Sequence, residues 1–335
     1  MKPDIAILGG GRTQRGLALR SARFIADSLR ERGHRAWLVH VEEDEWYVED
    51  EGRRVPVNRH DFSMQVGGER IRFGFAFNAV HDDMGKGALQ GYLELMGVPY
   101  DGSGQLASLL ADDKSATKAV LVASGLPMAK GVLYRKEEPL SEGDILERVG
   151  LPCFVKPNRG GSAIGSNKVS RAEELGAALE EALRWDEAVL VESFIPGREV
   201  TSGVVALGGE LVALPLTEYL LDGGCRTWEL NQGSVPKQTP ALLPEAVVAR
   251  CQELSRRAYR ALGCRGLVRI DYRLDGEALY LLEVNTLPGL ERVGAMCQQL
   301  LAAGFDLGEV FETLMREEFE GVRESGAARP RGRAG

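Results

Sequence analysis

The chain lacks the means to build a cross-linked, a membrane-spanning or a nucleic-acid-binding protein. Its five cysteines, at 153, 225, 251, 264 and 297, are odd in number, scattered, and form no Cys-x-x-Cys pair. That excludes a disulfide framework and a cysteine zinc site. Cys153 and Cys264 lie in apolar, strand-like surroundings and are expected in the core. The longest apolar runs fall far short of the ~20 residues of a membrane span. Basic residues number 41 against 49 acidic ones, a net charge of −8, with no basic stripe. No nucleic acid or membrane partner is therefore expected. No Gly-x-Gly-x-x-Gly occurs near the first strand, so no dinucleotide site is read there. No internal repeat is visible. The chain enters a strand at Asp4 without a leader, which gives the expectation of a cytoplasmic protein.

What is present suits a loop-rich α/β enzyme. Apolar residues make up 44% and glycines number 41 in 335 residues, enough for two or three domains around substantial cores. Asp4–Leu8 reads as a buried strand, followed by Gly9-Gly10-Gly11 and a helix from about Gln14 to Arg32. Glycines at a strand's carboxyl end mark where open α/β sheets bind ligands, although a tight turn needs them too. A further strand at Phe73–Ala79 leads to His81-Asp-Asp-Met-Gly-Lys-Gly87 and a helix to Met96. One continuous helix is expected from Gln105 to Gly125, carrying Asp113-Lys114. Leu151–Lys156 is a strand ending in lysine, followed by Pro157-Asn-Arg-Gly-Gly-Ser-Ala-Ile-Gly165. Glycines let backbone amides approach phosphate oxygens and lysine supplies charge; a mobile hairpin loop is the alternative. Ala188–Glu192 is a strand with an acid at its end, placed to hold an adenosine. The loop-like stretch from Asp222 to Pro240 is read as a lid.

The most informative stretch is Gly266–Gly289, two strands around a turn at Asp275-Gly276. Alternation puts Arg269 with Asp271 on one face, and Glu283 with Asn285 on one face. A two-residue loop at Asp275-Gly276 would put Asp271 opposite Tyr280 and split those faces. A three-residue loop from Asp275 to Glu277 puts Asp271 opposite Leu281, with Glu283 diagonal, and is the expected arrangement. Two carboxylates and an amide oxygen suit Mg²⁺, and Arg269 beside them suits an oxyanion or phosphate. A solvated polar face is the plainer alternative, and pattern alone does not separate the two.

The wording of that stretch, Arg269-Ile-Asp-Tyr and Leu281-Leu-Glu-Val-Asn-Thr-Leu-Pro-Gly289, resembles the closing signature of ATP-grasp ligases, nearest the D-alanine–D-alanine ligase family. The likeness extends over nearly the whole chain, through Gly87–Gly104, Phe154-Val-Lys-Pro-Asn158 and Gly161-Ser-Ala-Ile-Gly165. It implies an α/β (α+β), three-domain ATP-grasp fold with an N-terminal open parallel α/β domain. Expected bounds are 1–103, 104–187 and 188–322, with 323–335 a disordered tail. It implies ATP and Mg²⁺, with Mn²⁺ an alternative, and small carboxylate and amine substrates; the family's common homodimer is analogy alone. By the same resemblance Lys114 and Lys156 contact phosphates and Ser162 lies in the loop over them. Glu192, Ile195 and Glu199 hold adenine and ribose. Asp271, Glu283 and Asn285 bind the metal, and Arg269 and the backbone near Gly289 stabilise an oxyanion.

Departures from the family concentrate around the amino-acid substrates. Gln14 stands where a glutamate holds the first substrate's ammonium. His81-Asp-Asp-Met-Gly-Lys86 is one residue short, with Lys86 where acids stood. That lysine favours an extra acidic group nearby, and His81, in a loop, is read as a structural or substrate-positioning residue rather than a nucleophile. In the lid, Asn231 replaces a lysine and Gln232 a tyrosine. Gly294 replaces a serine that receives the second substrate's carboxylate. The expectation is a carboxylate–amine ligase acting through an acyl phosphate on substrates other than a free D-alanine pair. The rivals are a D-alanine–D-alanine ligase in which Lys237 replaces the lost lysine, and a catalytically silent nucleotide-binding regulator.

Overall fold

A computed structural model describes residues 2–221 and 235–327, with side chains to residue 319. The first strand, β1 (Asp4–Gly10), pairs in parallel with β2 (Ala36–Val41) and β6 (Glu69–Asn78). Between these come β3 (Trp46–Asp50), β4 (Arg53–Pro56) and β5 (Ser63–Val66), which add antiparallel edges to give the order β4-β3-β2-β1-β6-β5. Helix α1 (Arg15–Glu31) buries Ala18, Ser21, Ala22, Ile25, Ala26 and Leu29. That three-and-four spacing is a single apolar stripe laid on the sheet. Helix α2 (Leu89–Met96) closes this part.

The helix expected to run from Gln105 to Gly125 is broken in two. Helix α3 (Gln105–Asp112) stops at Asp113, which is extended at φ −84°, ψ 101°, and α4 (Lys114–Ala123) restarts there. The Asp113 carboxylate accepts from Ala116 N at 2.9 Å and Ser115 Oγ at 2.8 Å, so it caps the second helix rather than continuing the first. The cap throws Lys114 toward the second sheet.

That sheet is antiparallel, in the order β7-β10-β8-β9, from β7 (Gly131–Arg135), β8 (Cys153–Pro157), β9 (Asn167–Val169) and β10 (Ala188–Ser193). Helices α5 (Glu142–Val149) and α6 (Leu175–Ala182) cover it around Ile145, Val155, Leu175 and Val191. Because β10 pairs with both β7 and β8, residues 188–193 belong here, not to a third unit beginning at 188.

The third sheet holds β11 (Arg198–Leu207), β12 (Glu210–Ala213), β13 (Thr217–Tyr219), β14 (Lys237–Gln238), β15 (Leu267–Asp275) and β16 (Ala278–Asn285). Its path is β14-β13-β11-β15-β16, with β12 beside β11. Helix α7 (Glu245–Ala261) packs Leu254 and Tyr259 into a core with Val204, Ile270 and Tyr272. Helices α8 (Ala295–Ala302) and α9 (Leu307–Ala327) return to the first sheet, where Leu300, Phe311 and Leu314 join Ile5, Ile25 and Phe77 in one core. Glu312 fixes that return by pairing with Arg32 and His34, both at 2.6 Å. Helix α9 continues to Ala327, into the stretch expected to be tail.

Cys153 and Cys264 are buried as expected, at 0% and 7% exposure, and Cys225 lies outside the described residues. Among the described residues no helix is long and apolar enough to cross a membrane.

Candidate active site

Strands β15 and β16 do gather Arg269, Asp271, Glu283 and Asn285, but by a different device from the three-residue loop. Asp275 pairs with Ala278, so the loop is two residues, Gly276-Glu277, and Leu274 pairs with Leu279. The register then shifts between Asp271 and Tyr272: Tyr272 faces Leu281, yet Asp271 faces Glu283. Leu282 is the extra residue, a β-bulge, and it moves every later side chain by one position. Without it Asp271 would face Leu282. The bulge sits where Leu281 N donates to Pro127 O at 2.9 Å, so a segment pairing from outside the hairpin accompanies the shift.

Asp271 is fully buried, and Arg269 donates to it through Nε and an η nitrogen, both at 2.9 Å. Arg269 also lies 3.9 Å from Glu283. Asn285 Nδ2 approaches Asp271 at 3.4 Å and Glu283 at 3.3 Å. Among the described residues no group of three His, Cys, Asp or Glu side chains forms a metal cluster. The set here is instead two carboxylates and an amide, whose oxygen comes forward when the amide turns over. Such hard oxygen donors fit Mg²⁺.

These strands form one wall of a cavity of about 300 Å³ that the second sheet and the N-terminal loops complete. Lys156, at the end of β8, lines it, and Glu192, at the end of β10, stands between Lys156 and Lys118 of α4 at 2.6 Å from each. Glu192 thus also lines the cavity, with one carboxylate oxygen on each lysine. Burial pushes its carboxyl up, and Lys156 and Lys118 outweigh this and hold it below the ordinary range. Lys114 Nζ is held by the carbonyls of Gly160 at 2.9 Å, Pro157 at 3.3 Å and Asn158 at 3.4 Å. Burial, with Lys156 and Lys86 nearby, lowers its pKa to about 8. Phe154, Ile195 and Leu282 add apolar surface to the cavity lining, which also includes Glu199 and Arg273, 3.4 Å apart.

The glycine-rich loop lies over this wall. Ser162 and Ala163 have φ of +57° and +58°, a conformation uncommon for residues with a β-carbon. Arg159 N donates to Asp186 at 2.7 Å at its start, and at its end a β-carbon on Gly165 would stand 2.5 Å from Trp185. A β-carbon on Gly161 would lie 3.5 Å from Gln14 Nε2 and 3.9 Å from Lys86 Nζ, so the loop reaches the N-terminal side of the cavity.

That side carries little net charge. Lys86 lines the cavity, but its Nζ is 2.6 Å from Asp112, which cancels the charge expected to favour an acidic group. His81 Nδ1 meets Leu287 O at 3.0 Å, and burial lowers its pKa to about 4. The ring is neutral, Nδ1 carries the proton, and Nε2 is an acceptor without a partner among the described residues. Gln14 precedes α1 and lines the cavity. Asp82, beside His81, holds the Gln14 loop: it accepts from Arg12 N, from Thr13 N at 3.1 Å and from Met84 N at 3.2 Å. Gly11, at φ +88°, lets this carboxylate in, since a β-carbon there would stand 2.4 Å from its oxygen.

Gly289 lines the cavity, whereas Gly294 does not. Gly294 precedes α8 and donates to Glu291 O at 2.7 Å. Gln232 and Asn231 lie outside the described residues. The sequence reading missed Lys118, Asp82, Asp112 and Arg273. Lys118 stands one helical turn after Lys114 and Asp82 follows His81, signals that acquire meaning only with their partners in place.

The family model described as D-Ala D-Ala ligase C-terminus matches residues 120–316. The D-alanine–D-alanine ligase of Bacteroides fragilis is 36% identical over 324 residues, covering 95% of this chain and all of that one. The structure of D-alanyl-alanine synthetase A from Vibrio cholerae superposes with a TM-score of 0.86 at 26% identity, covering 95% of this chain and 99% of that one. The VanG D-Ala:D-Ser ligase of Enterococcus faecalis superposes at 0.83, also 26% identical, covering 95% and 100%. A hairpin of hard oxygen donors, a lysine-bearing second sheet and full-length likeness agree, and the chain belongs to the D-alanine–D-alanine ligase family of ATP-grasp, ADP-forming ligases.

Proposed function

We propose that this ligase joins a small carboxylate to an amine through an acyl phosphate, using Mg-ATP, and that its substrates differ from a free D-alanine pair. The observation that carries the second half is the neutrality of the N-terminal side of the cavity. Gln14 has no charge, His81 is neutral, and Lys86 is cancelled by Asp112. An amino acid's ammonium there finds Gln14 Oε1 as an uncharged acceptor, and His81 Nε2 is buried behind the cavity surface. A charged partner makes a hydrogen bond roughly twice as strong.

In this reading Lys114 and Lys156 hold the phosphates, and the glycine-rich loop closes over them with its backbone amides. Phe154, Ile195 and Leu282 cover the adenine, and Glu199 faces the ribose. Asp271, Glu283 and Asn285 hold Mg²⁺, which, when bound, neutralises charge on the transferring phosphate. Arg269, released from part of its bond to Asp271, and the backbone at Gly289 face the oxyanion that forms when the amine attacks. The loop and the N-terminal side exclude the water that would hydrolyse an acyl phosphate.

The names of the relatives favour a second reading, a D-alanine–D-alanine ligase in which these neutral groups suffice. The VanG protein, described as a D-Ala:D-Ser ligase, is one relative of this fold whose description pairs D-alanine with D-serine. Phosphate release from Mg-ATP decides between the readings, measured with D-alanine and then with pools of D- and L-amino acids and simple carboxylates. The proposal expects weak release with D-alanine and strong release with another pool. Full turnover with D-alanine alone, with the dipeptide identified by mass, sinks the different-substrate reading. No release with any pool, despite nucleotide binding, sinks both.

A further inference from the structure

We infer that Lys118 is a positioning residue for Lys156, acting through Glu192 to leave a net positive charge on the phosphate side of the cavity; the inference rests on the reading of that cavity as a nucleotide site. Lys118 does not line the cavity, whereas Lys156 and Glu192 do. All three side chains are nearly out of water, at 13%, 11% and 7% exposure.

A lysine paired one-to-one with a buried carboxylate presents a dipole to a phosphate, not a charge. Here Glu192 has two cations, one on each oxygen at 2.6 Å, so the cluster carries +1 in total. Lys118 is itself anchored, donating to Ala129 O at 2.6 Å. Its bond to Glu192 fixes the carboxylate plane, and the second oxygen then fixes Lys156. The fold leaves room for this. Gly131 on β7 pairs with Glu192 on β10, and a β-carbon at Gly131 would lie 3.1 Å from Lys118 Cε and 3.2 Å from Glu192 Cγ. A side chain there would wedge the two apart. Buried ion clusters contribute little net stability compared with apolar packing. A three-charge cluster opening on a cavity through only one of its cations is better understood as setting the potential at that cation.

Calorimetric titration of the full chain with ADP in the presence of Mg²⁺ tests this, with unfolding curves run in parallel. In Lys118→Met the cluster is neutral, and ADP affinity should fall about ten- to a hundredfold, the range one charge-assisted hydrogen bond spans. Lys118→Arg keeps the charge and should recover most of the affinity. The double variant Lys118→Met/Glu192→Gln restores the +1 and should bind ADP more tightly than Lys118→Met alone. With Glu192→Gln measured alone as the reference, a merely structural Lys118 would cost the same affinity in that background as in the parent. If Lys118→Met fails to fold, the arginine variant and the double variant, which leaves no unpaired buried carboxylate, still decide. Lys118→Met binding ADP like the parent, or the double variant binding no better than Lys118→Met, overturns the inference alone. A parent chain that binds no ADP overturns the nucleotide reading, and this inference with it.

Discussion

The two sides of the cavity hold their functional groups by opposite means. On the sheet side the groups stand on strands and on the first turns of α4, and are charged: Arg269 grips Asp271 across one strand face, and Glu192 stands between two lysines. On the N-terminal side they stand on loops and are neutral or cancelled: Gln14, a neutral His81, and Lys86 bound to Asp112. Asp82, beside His81, is turned to the backbone amides of Arg12 and Thr13 and does not line the cavity. Strand-borne charges that fix each other are pre-organised for a constant partner. Neutral groups on loops allow one substrate to be exchanged for another with little electrostatic cost.

The largest effect should come from breaking the charged side. Asp271→Ala leaves Arg269 without its bidentate partner and removes one of the proposed metal ligands. Stability to urea should fall by about 3–5 kcal/mol, as when one member of a buried pair is removed, and ATP turnover by at least about a hundredfold. A stability loss below about 1 kcal/mol would mean that the pair behaves like an exposed one, and the contrast between the two sides would fail. A smaller effect is expected on the neutral side. Gln14→Glu supplies a charged acceptor, and KM for D-alanine should fall about tenfold, the difference between a neutral and a charge-assisted bond. Stability should change little. An unaltered KM would show that position 14 does not meet the ammonium, and the neutrality of that side would then say nothing about substrate choice.

The sequence carried the sheet side further than the N-terminal side, for a physical reason. Alternation along Arg269–Arg273 and Leu281–Asn285 is a local property, so the shared faces could be read without a fold. Their register could not, because the bulge at Leu282 accompanies Leu281's bond to Pro127, more than a hundred residues away in sequence. The break at Asp113 was there to be read as a cap, since aspartate before Lys-Ser-Ala is a helix-start signal, but the apolar periodicity on both sides concealed it. Lys118 was hidden because its proposed role depends on Gly131, on another element, leaving room. On the N-terminal side the substitutions themselves were legible. What they amount to was not: the cancelling of Lys86 requires knowing that α3 delivers Asp112 to it.

Lys114 sharpens the comparison at its finest scale. Its Nζ hydrogen-bonds backbone carbonyls, and burial first, then Lys156 and Lys86, lower its pKa to about 8 against a partial offset from Glu283. Near that pH the nucleotide-free protein is a mixture of charged and neutral Lys114. An anionic phosphate beside it favours the charged form and raises the pKa. ADP binding at about pH 8.5 should therefore take up a proton, less than one per site. Affinity should be full below pH ~8 and be lost as pH rises through the higher pKa of the bound form. Calorimetry in two buffers of different ionisation enthalpy measures the uptake, and Lys114→Met should abolish it. The same experiment on the double variant Lys86→Met/Asp112→Asn should leave the uptake nearly unchanged, since the pair removed carries no net charge. If that double variant instead removed the uptake, the N-terminal pair would be setting the charge of the proposed phosphate site, and the division of the cavity into a charged and a neutral side would have to be redrawn around it.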